Sequence, residues 1–420
     1  MIVAGDTAGW LAPCGCTTRQ SGGLARRATL VAQARTEGAV LVADVGGAVA
    51  GHAAYDRLKL AAILEGERAM GVAAHNLGAA EAALEPDSLR RLIAEERVPL
   101  ISANLRSADG TRVAEPLRLV TAAGRRVALV GVLSPRYAGP WRVDPPRDAV
   151  LEALRTVAGR FDHLIVLAYL PVDELRELAA SLPEADVVCG GPTGQPLPPQ
   201  PIGPVLLASA TNMGKFVARF DIAAGSRGWK GRIVELDERF ADDRAQLENL
   251  ARFRGELARL DLTPAQTAFR PLSLAVPPPD YRLAGNAACR ECHVEDCKLW
   301  EQSRHARAWQ SLERGRAQPD PACQRCHTTG YGLPGGFASV RRTPDRVQVG
   351  CESCHGPSQA HVTDAKRPTT YHGRAQDQCL ACHDRENSPK FQYAAYWGTI
   401  RHGRRDTPRP TPNSVSETQP

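Results

Sequence analysis

The sequence predicts an α/β domain followed by a second, irregular domain built around a repeated Cys/His motif. Three observations carry this reading. Between residues 1 and 240, apolar segments alternate with helically spaced ones, the pattern of buried strands in an α/β core. Between Cys289 and His383 one five-residue pattern, Cys-x-x-Cys-His, occurs four times. Between these regions, Pro271–Pro279 carries four prolines and reads as a linker.

In chain order, Ile2–Ala4 is a short apolar strand and Gly22–Arg35 has helical spacing, with Leu24, Ala28, Val31 and Ala32 on one face. Ala39–Val45 reads as a strand and Ala53–Met70 as a helix. Val98–Leu105, Arg126–Leu133, His163–Tyr169 and Asp186–Cys189 read as further strands. Helices are expected around Asp87–Glu96, Asp148–Gly159 and Asp173–Leu182. After Pro192, Val205–Ser209, Lys215–Ile222 and Gly231–Glu235 form a β-rich end. Asp242–Leu260 is a charged helix with a sparse apolar face, suited to bridging. The expected organisation is 1–240, an α/β domain; 241–280, helix and linker; 281–404, the cofactor domain; and 405–420, a disordered tail rich in Pro, Ser and Thr.

The repeated motif dictates a chemistry. Cys289/Cys292/His293, Cys323/Cys326/His327, Cys351/Cys354/His355 and Cys379/Cys382/His383 each have the spacing of a c-type haem attachment site. Two thiols bond the porphyrin, and the adjacent His gives its imidazole to the iron. A zinc site does not require a His after every second Cys. Four covalently attached haems are therefore expected. Eight of the eleven histidines follow residue 281. Four are proximal ligands, and His305, His361, His372 and His402 remain, one for each haem. That match suggests two imidazoles per iron throughout.

The totals limit the function classes. Net charge is +6, and residues 281–420 hold 20 Lys+Arg against 14 Asp+Glu, so the whole excess lies there. Haem propionates offset it, which leaves nucleic-acid binding without support. No run of apolar residues is long enough for a transmembrane helix. Thioether haem attachment takes place outside the cytoplasm, so a periplasmic or extracellular location is expected. Met1-Ile-Val-Ala has no basic or long apolar leader, so a signal peptide is expected to have been removed or truncated from this sequence.

Two resemblances extend the reading. Ala4-Gly-Asp6 through Pro13-Cys14-Gly-Cys16, followed by Gly22-Gly-Leu-Ala-Arg26-Arg27, resembles the start of 5′-nucleotidase-type metallophosphoesterase domains, especially a PCGC offshoot with selenoprotein relatives. The resemblance covers about 1–240 and implies an αββα sandwich with a two-metal site at the strand ends. The family's ligands are largely missing. Thr7 and Ala8 follow Asp6 where Asp-x-His belongs, and Gly47 replaces an Asp. Leu77-Gly78-Ala79-Ala80-Glu81 keeps only the Gly and the acid of Gly-Asn-His-Glu. Tyr169 stands for a His, and Gly191-Pro192-Thr193-Gly194 has neither His of Gly-His-x-His. No divalent metal pair and no phosphoesterase activity are expected. His52, His75 and His163 are expected to be surface or satisfied structural residues. Cys14 and Cys16 form a candidate redox pair.

Tyr281-x-x-x-Gly285, Ser303-x-His305-Ala306, Cys323-x-x-Cys-His-Thr-Thr-Gly330 and Gly350-Cys-Glu-Ser-Cys-His-Gly-Pro357 resemble the tetrahaem cytochrome c554 family over about 281–404. The resemblance implies a mostly helical fold, closely packed haem pairs and electron transfer. His305, His361 and His402 match family ligand positions; His372 does not clearly do so, and in that family one haem can lack a distal ligand. The expected function is electron transfer, with other cytochromes or membrane quinone-linked complexes as redox partners and an oligomer or filament possible. The alternatives are a multihaem reductase of a small nitrogen or sulfur species and a thiol-linked oxidoreductase using Cys14 and Cys16, with phosphoester hydrolysis ranked last.

Overall fold

The computed structural model describes residues 1–13, 20–95, 98–223, 226, 228–272, 280, 282–371 and 375–402. Cys14, Cys16 and His372, most of the Pro-rich linker and the C-terminal tail lie outside the described residues. The chain divides into two compact units, one ending at Phe253 and the other beginning at Arg254.

The first unit runs β1 (Ile2–Ala4), α1 (Leu24–Glu37), β2 (Val42–Asp44), α2 (Ala54–Met70), β3 (Val72–Asn76), α3 (Ala79–Ala82), α4 (Pro86–Glu95), β4 (Leu100–Ile101), β5 (Leu105–Arg106), β6 (Leu117–Ala122) and β7 (Arg125–Leu133). It continues with β8 (Arg142–Val143), α5 (Pro146–Arg155), β9 (His163–Tyr169), α6 (Val172–Ser181), β10 (Val187–Gly191), β11 (Leu197–Ile202), β12 (Val205–Ser209), β13 (Phe216–Ile222) and β14 (Trp229–Glu235). The helix α7 (Arg244–Leu260) crosses the division between the units.

Two six-stranded sheets result, ordered β14-β13-β1-β2-β3-β4 and β11-β12-β10-β9-β7-β6. Val3, Ala43 and Ala74 of the first pack with Val127, Leu129, Ile165, Leu167 and Val187 of the second. The alternating residues Ala128, Val130, Leu164, Val166 and Val188 face outward into a second core with Val150 of α5 and Leu175 and Leu178 of α6. Strands buried on both faces explain why β7, β9 and β10 read as continuous apolar runs. This is the α/β sandwich that the sequence predicts.

Some elements differ from the expectation. The segment read as one strand over Val98–Leu105 is two short strands, β4 and β5. The expected Ala39–Val45 strand is limited to Val42–Asp44. β11 carries three prolines that discourage a strand reading, and it forms at the sheet edge, where missing N–H donors are tolerated. β6 pairs with β7 across Ala123-Gly124, both at positive φ, as a tight hairpin requires.

The second unit contains α8 (Asn286–Arg290), α9 (Val294–Glu301), α10 (Ala308–Arg314), α11 (Pro321–His327), α12 (Glu352–His355), α13 (Gln359–Thr363), α14 (Ala375–Leu380) and α15 (Tyr393–Ile400). Its protein core is small. Trp309, Leu312 and Ala317 pack with Cys323, Val340 and Val347. Among the described residues no helix is long and apolar enough to cross a membrane.

Candidate functional site

Each Cys-x-x-Cys-His motif folds into one helical turn. The N–H of His293 donates to Cys289 O (2.9 Å), His355 to Cys351 O (3.0 Å) and His383 to Cys379 O (2.8 Å), while His327 ends α11. Positions i, i+3 and i+4 of such a turn share one face, which places both thiols and the imidazole together. None of the eight motif residues that carry these thiols is fully buried, whereas Cys189 and Cys297 are. Thiols of different motifs also meet: Cys289 with Cys351, and Cys326 with Cys382, within hydrogen-bonding reach.

Cys292 is an expected attachment thiol of the first motif. It is exposed, and Cys354 is the only other exposed cysteine among the described residues. Unlike Cys289, it meets no thiol of another motif in any described contact. The reason is local. Cys292 lies in the turn between α8 and α9, where its N–H caps back onto Cys289 O (3.3 Å) and the neighbouring Glu291, His293 and Val294 are exposed as well. Cys292 is therefore positioned by the turn of its own motif. Its place in the predicted attachment site rests on the spacing to Cys289 and His293.

The histidines pair across the fold. Ring centroids lie 6.2 Å apart for His293 and His361, 6.2 Å for His305 and His383, and 5.8 Å for His355 and His402. Two imidazoles sharing one metal through bonds of about 2 Å have centroids on the order of 6 Å apart. His327 faces no further imidazole ring among the described residues. Backbone contacts set the tautomers. Nδ1–H of His327 donates to Ala308 O (2.8 Å), that of His361 to Arg367 O (2.6 Å) and that of His402 to Ile400 O (3.0 Å). A carbonyl only accepts, so the lone pair resides on Nε2, ready for a metal. Burial holds His305, His327, His355 and His383 below the usual imidazole range, which favours the neutral, ligating form.

The apolar surface tests the fit of a porphyrin. Val294, Val362, Leu380, Tyr396 and Trp397 are exposed large hydrophobics, and the first three lie within one or two residues of His293, His361, Cys379 or Cys382. No residue of the apolar helix α15 is buried, yet Tyr396 lies 6.2 Å from the His383 ring. Phe391 stacks on the same imidazole at 4.6 Å. An apolar face that surrounds ligating groups is what a haem covers. The donor set, its tautomers and this surface all fit c-type haem.

Residues 288–356 match the family described as cytochrome c554 and c-prime. This span holds the first three motifs, and the family implies covalently bound c-type haem. The chain is 30% identical over 146 residues to cytochrome c-554 of Nitrosomonas europaea, an alignment covering 26% of this chain and 61% of that protein. It is 27% identical over 183 residues to the uncharacterized metallophosphoesterase YunD of Bacillus subtilis, covering 42% of this chain and 38% of that protein. The chain thus spans less than two thirds of either relative. The 5′-nucleotidase precursor of Thermus thermophilus superposes with a TM-score of 0.52 at 21% identity, covering 62% of this chain and 59% of that one. The second unit is therefore cytochrome c554-like, and the first has the fold of the metallophosphoesterases.

In that first unit, several side chains near the strand ends, where a metal pair would be expected, bond to or pack on other protein groups. The ring of Tyr169 leans against Gly47, where an added Cβ would meet ring carbon Cε2 at 2.5 Å. The Tyr169 hydroxyl lies 3.5 Å from Asp6 Oδ1, and Tyr137 packs edge-on at 5.4 Å. Burial raises the Asp6 carboxyl. Both oxygens of Glu81 are used internally, accepting from Ala48 N–H (2.8 Å) and Gly78 N–H (3.0 Å). The hydroxyl of Thr193 bonds those of Ser209 (2.8 Å) and Thr211 (3.1 Å). Gly47 also sits at φ 73°. Gly47→Asp is therefore expected to destabilise the first unit by about 1–3 kcal/mol, from the strained backbone and the Tyr169 overlap. An unchanged thermal midpoint would contradict this.

A buried ion quartet lies on the helix side of the first sheet. Register places Asp44 of β2 beside His75 of β3, with Arg27 of α1 and Glu67 of α2 over them. His75 Nδ1 lies 2.7 Å from Glu67 Oε2, and Arg27 Nη1 lies 3.3 Å from Asp44 and 3.7 Å from Glu67. Burial, then the Glu67 carboxylate, push Asp44 up to about 7. Burial opposes a charged His75, but Glu67, Glu81 and Asp44 outweigh it and hold the imidazole well above its usual range. Burial would raise Glu67, and the His75 and Arg27 charges reverse this and hold it low. Asp44, Glu67 and His75 present ligand atoms within 4.8 Å of one another. The Arg27 guanidinium already stands at both carboxylates, where it supplies the charge a cation would bring.

His163 is a satisfied structural residue, contacting Asp186 (3.1 Å) and Arg125 (2.9 Å), whereas His75 is buried with Nδ1 on Glu67 and its Nε2 without a hydrogen-bond partner among the described residues. Cys189 is a core residue of β10. Arg27 and Glu67 carry no sequence signal beyond helical spacing. Their role emerges only from the α1, α2 and β2–β3 packing.

Proposed function

We propose that this chain is a tetrahaem c-type cytochrome that transfers electrons outside the cytoplasm, in the periplasm or at the cell exterior. The observation that carries the reading is the set of three imidazole pairs at bis-His spacing. His293 and His361 hold the first haem, His355 and His402 the third, and His383 and His305 the fourth. His327 holds the second. The thiol contacts group the haems as first with third and second with fourth. Near neighbours of that kind pass electrons along the unit, and the partners are redox proteins: other cytochromes or quinone-linked membrane complexes. Bound haem supplies the one-electron chemistry; the chain supplies ligands, orientation and burial.

The first unit is a metallophosphoesterase scaffold that has lost hydrolysis. A two-metal site needs several ligands around both ions. Here Tyr169 takes the space beside Gly47, and Glu81 is turned to backbone donors. The 1–240 domain, the 241–280 connection and the 281–404 haem domain remain the proposed organisation.

The second reading, a multihaem reductase of a small nitrogen or sulfur species, needs an iron with an open position. The haem of His327 would be its place, because the three pairs above use His361, His402 and His305 and the remaining candidate, His372, lies outside the described residues. Expression in a host competent for c-type haem maturation, followed by denatured haem quantification and mass measurement, tests the main reading. Four haems per chain are expected. A protein with three or fewer after full maturation sinks it.

A further inference from the structure

We propose that Glu352 is the positioning residue of the first and third haems and the buried charge that keeps their potentials low. This rests on the tetrahaem reading above. Glu352 lies inside the third motif, between Cys351 and Cys354, and is 3% exposed. Its carboxylate reaches out of its own motif. Oε1 accepts from Ala284 N–H (2.9 Å) and Ser358 N–H (2.8 Å), and Oε2 accepts from Gly285 N–H (2.7 Å). Three donors and no acceptor face it, the set that a carboxylate satisfies and a carboxylic acid does not. Among the described residues no cationic side chain forms an ion pair with it.

Each donor belongs to a segment that places a haem group. Gly285 lies four residues before Cys289, and its carbonyl is 3.6 Å from the Cys289 thiol. Ser358 lies three residues before His361, the imidazole that faces His293. The tie is reciprocal: Asn286 Oδ1 accepts from Cys351 N–H at 3.0 Å. One side chain thus joins the first attachment turn, its distal-ligand segment and the third attachment turn. The Cys289–Cys351 thiol contact is the consequence.

The charge adds a second effect. Both thiols flanking Glu352 bond the third porphyrin, and the backbone groups it grips lead to the first. A buried anion near an iron favours the ferric state, which carries one more positive charge than the ferrous state. It therefore lowers the potential of these two haems and leaves the second and fourth alone.

The test uses the mature holoprotein with Glu352→Gln and Glu352→Asp, read by haem content and a spectroscopic redox titration. In Glu352→Gln, which keeps the shape and removes the charge, two of the four midpoint potentials are expected to shift upward. In Glu352→Asp, which keeps the charge, those two stay near the wild type. No shift in Glu352→Gln, or an equal shift of all four haems, overturns the proposal. If Glu352→Gln does not retain four haems, Glu352→Asp decides: four haems at wild-type potentials support it, and lost haem or shifted potentials overturn it. A wild-type protein lacking four haems is a separate failure, of the tetrahaem reading itself.

Discussion

Replacing His402 by alanine is expected to turn one of the four haems of the oxidised protein from low to high spin. His402 faces His355 at 5.8 Å, and its Nδ1–H is held by Ile400 O, which leaves Nε2 as the ligating atom in the proposed pairing. Removing it leaves the iron with the His355 imidazole and an open position. The protein fold should tolerate the change, because His402 is exposed and anchors no core. The substituted protein should keep four haems, gain one site for carbon monoxide in its reduced form, and recover the low-spin spectrum when imidazole is added. His361→Ala and His305→Ala should behave likewise at the first and fourth haems. If His402→Ala leaves the spin state of every haem unchanged, the pairing with His355 is wrong.

Glu67→Gln is expected to cost the first unit about 3–5 kcal/mol, because it strands charge that is already out of water. Arg27 would then keep only the Asp44 carboxylate, and His75 only the more distant Asp44 (3.9 Å) and Glu81 (3.8 Å). Chemical denaturation, followed by a probe in the first unit, measures the loss; a change below about 1 kcal/mol would show that the quartet is not a coupled ionic unit. The wild type should also show a defined pH dependence. His75 is raised above its ordinary 6.5, so its contribution is fully present below that pH and is lost as pH rises through the higher folded value. Asp44, raised from 3.8 to about 7, acts in the same direction over that interval. Glu67, held below 4.5, acts in the opposite sense and only in acid. The first unit should therefore lose stability from near-neutral to alkaline pH, and Glu67→Gln should flatten that slope.

The two units differ in how much their sequences disclose. The four attachment motifs are legible because each is local: one helical turn fixes two thiols and an imidazole. What surrounds each thiol is not local, which is why spacing alone does not distinguish the exposed Cys292 from Cys289, whose thiol meets the third motif. The proposed distal ligands are legible as residues but not as partners. His305 follows the first motif in sequence yet faces His383 of the fourth, and His361 follows the third yet faces His293 of the first. Such pairings depend on how short helices cross, which spacing does not encode. In the first unit, β7 and β9 are evident from their apolar runs, whereas β11 is hidden by prolines that only an edge position tolerates. The proposed ligand loss is legible at Gly47 and Tyr169 separately. That one fills the space of the other is a property of the fold. The ion quartet is the least legible feature, since Asp44 and His75 become neighbours through sheet register alone.

Low-temperature EPR of the fully oxidised, haem-loaded protein tests the central claim most directly. Imidazole pairs at the first, third and fourth haems predict at least three low-spin ferric centres per chain, with any high-spin signal integrating to no more than the one haem held by His327. High-spin iron amounting to two or more haems per chain would contradict the account.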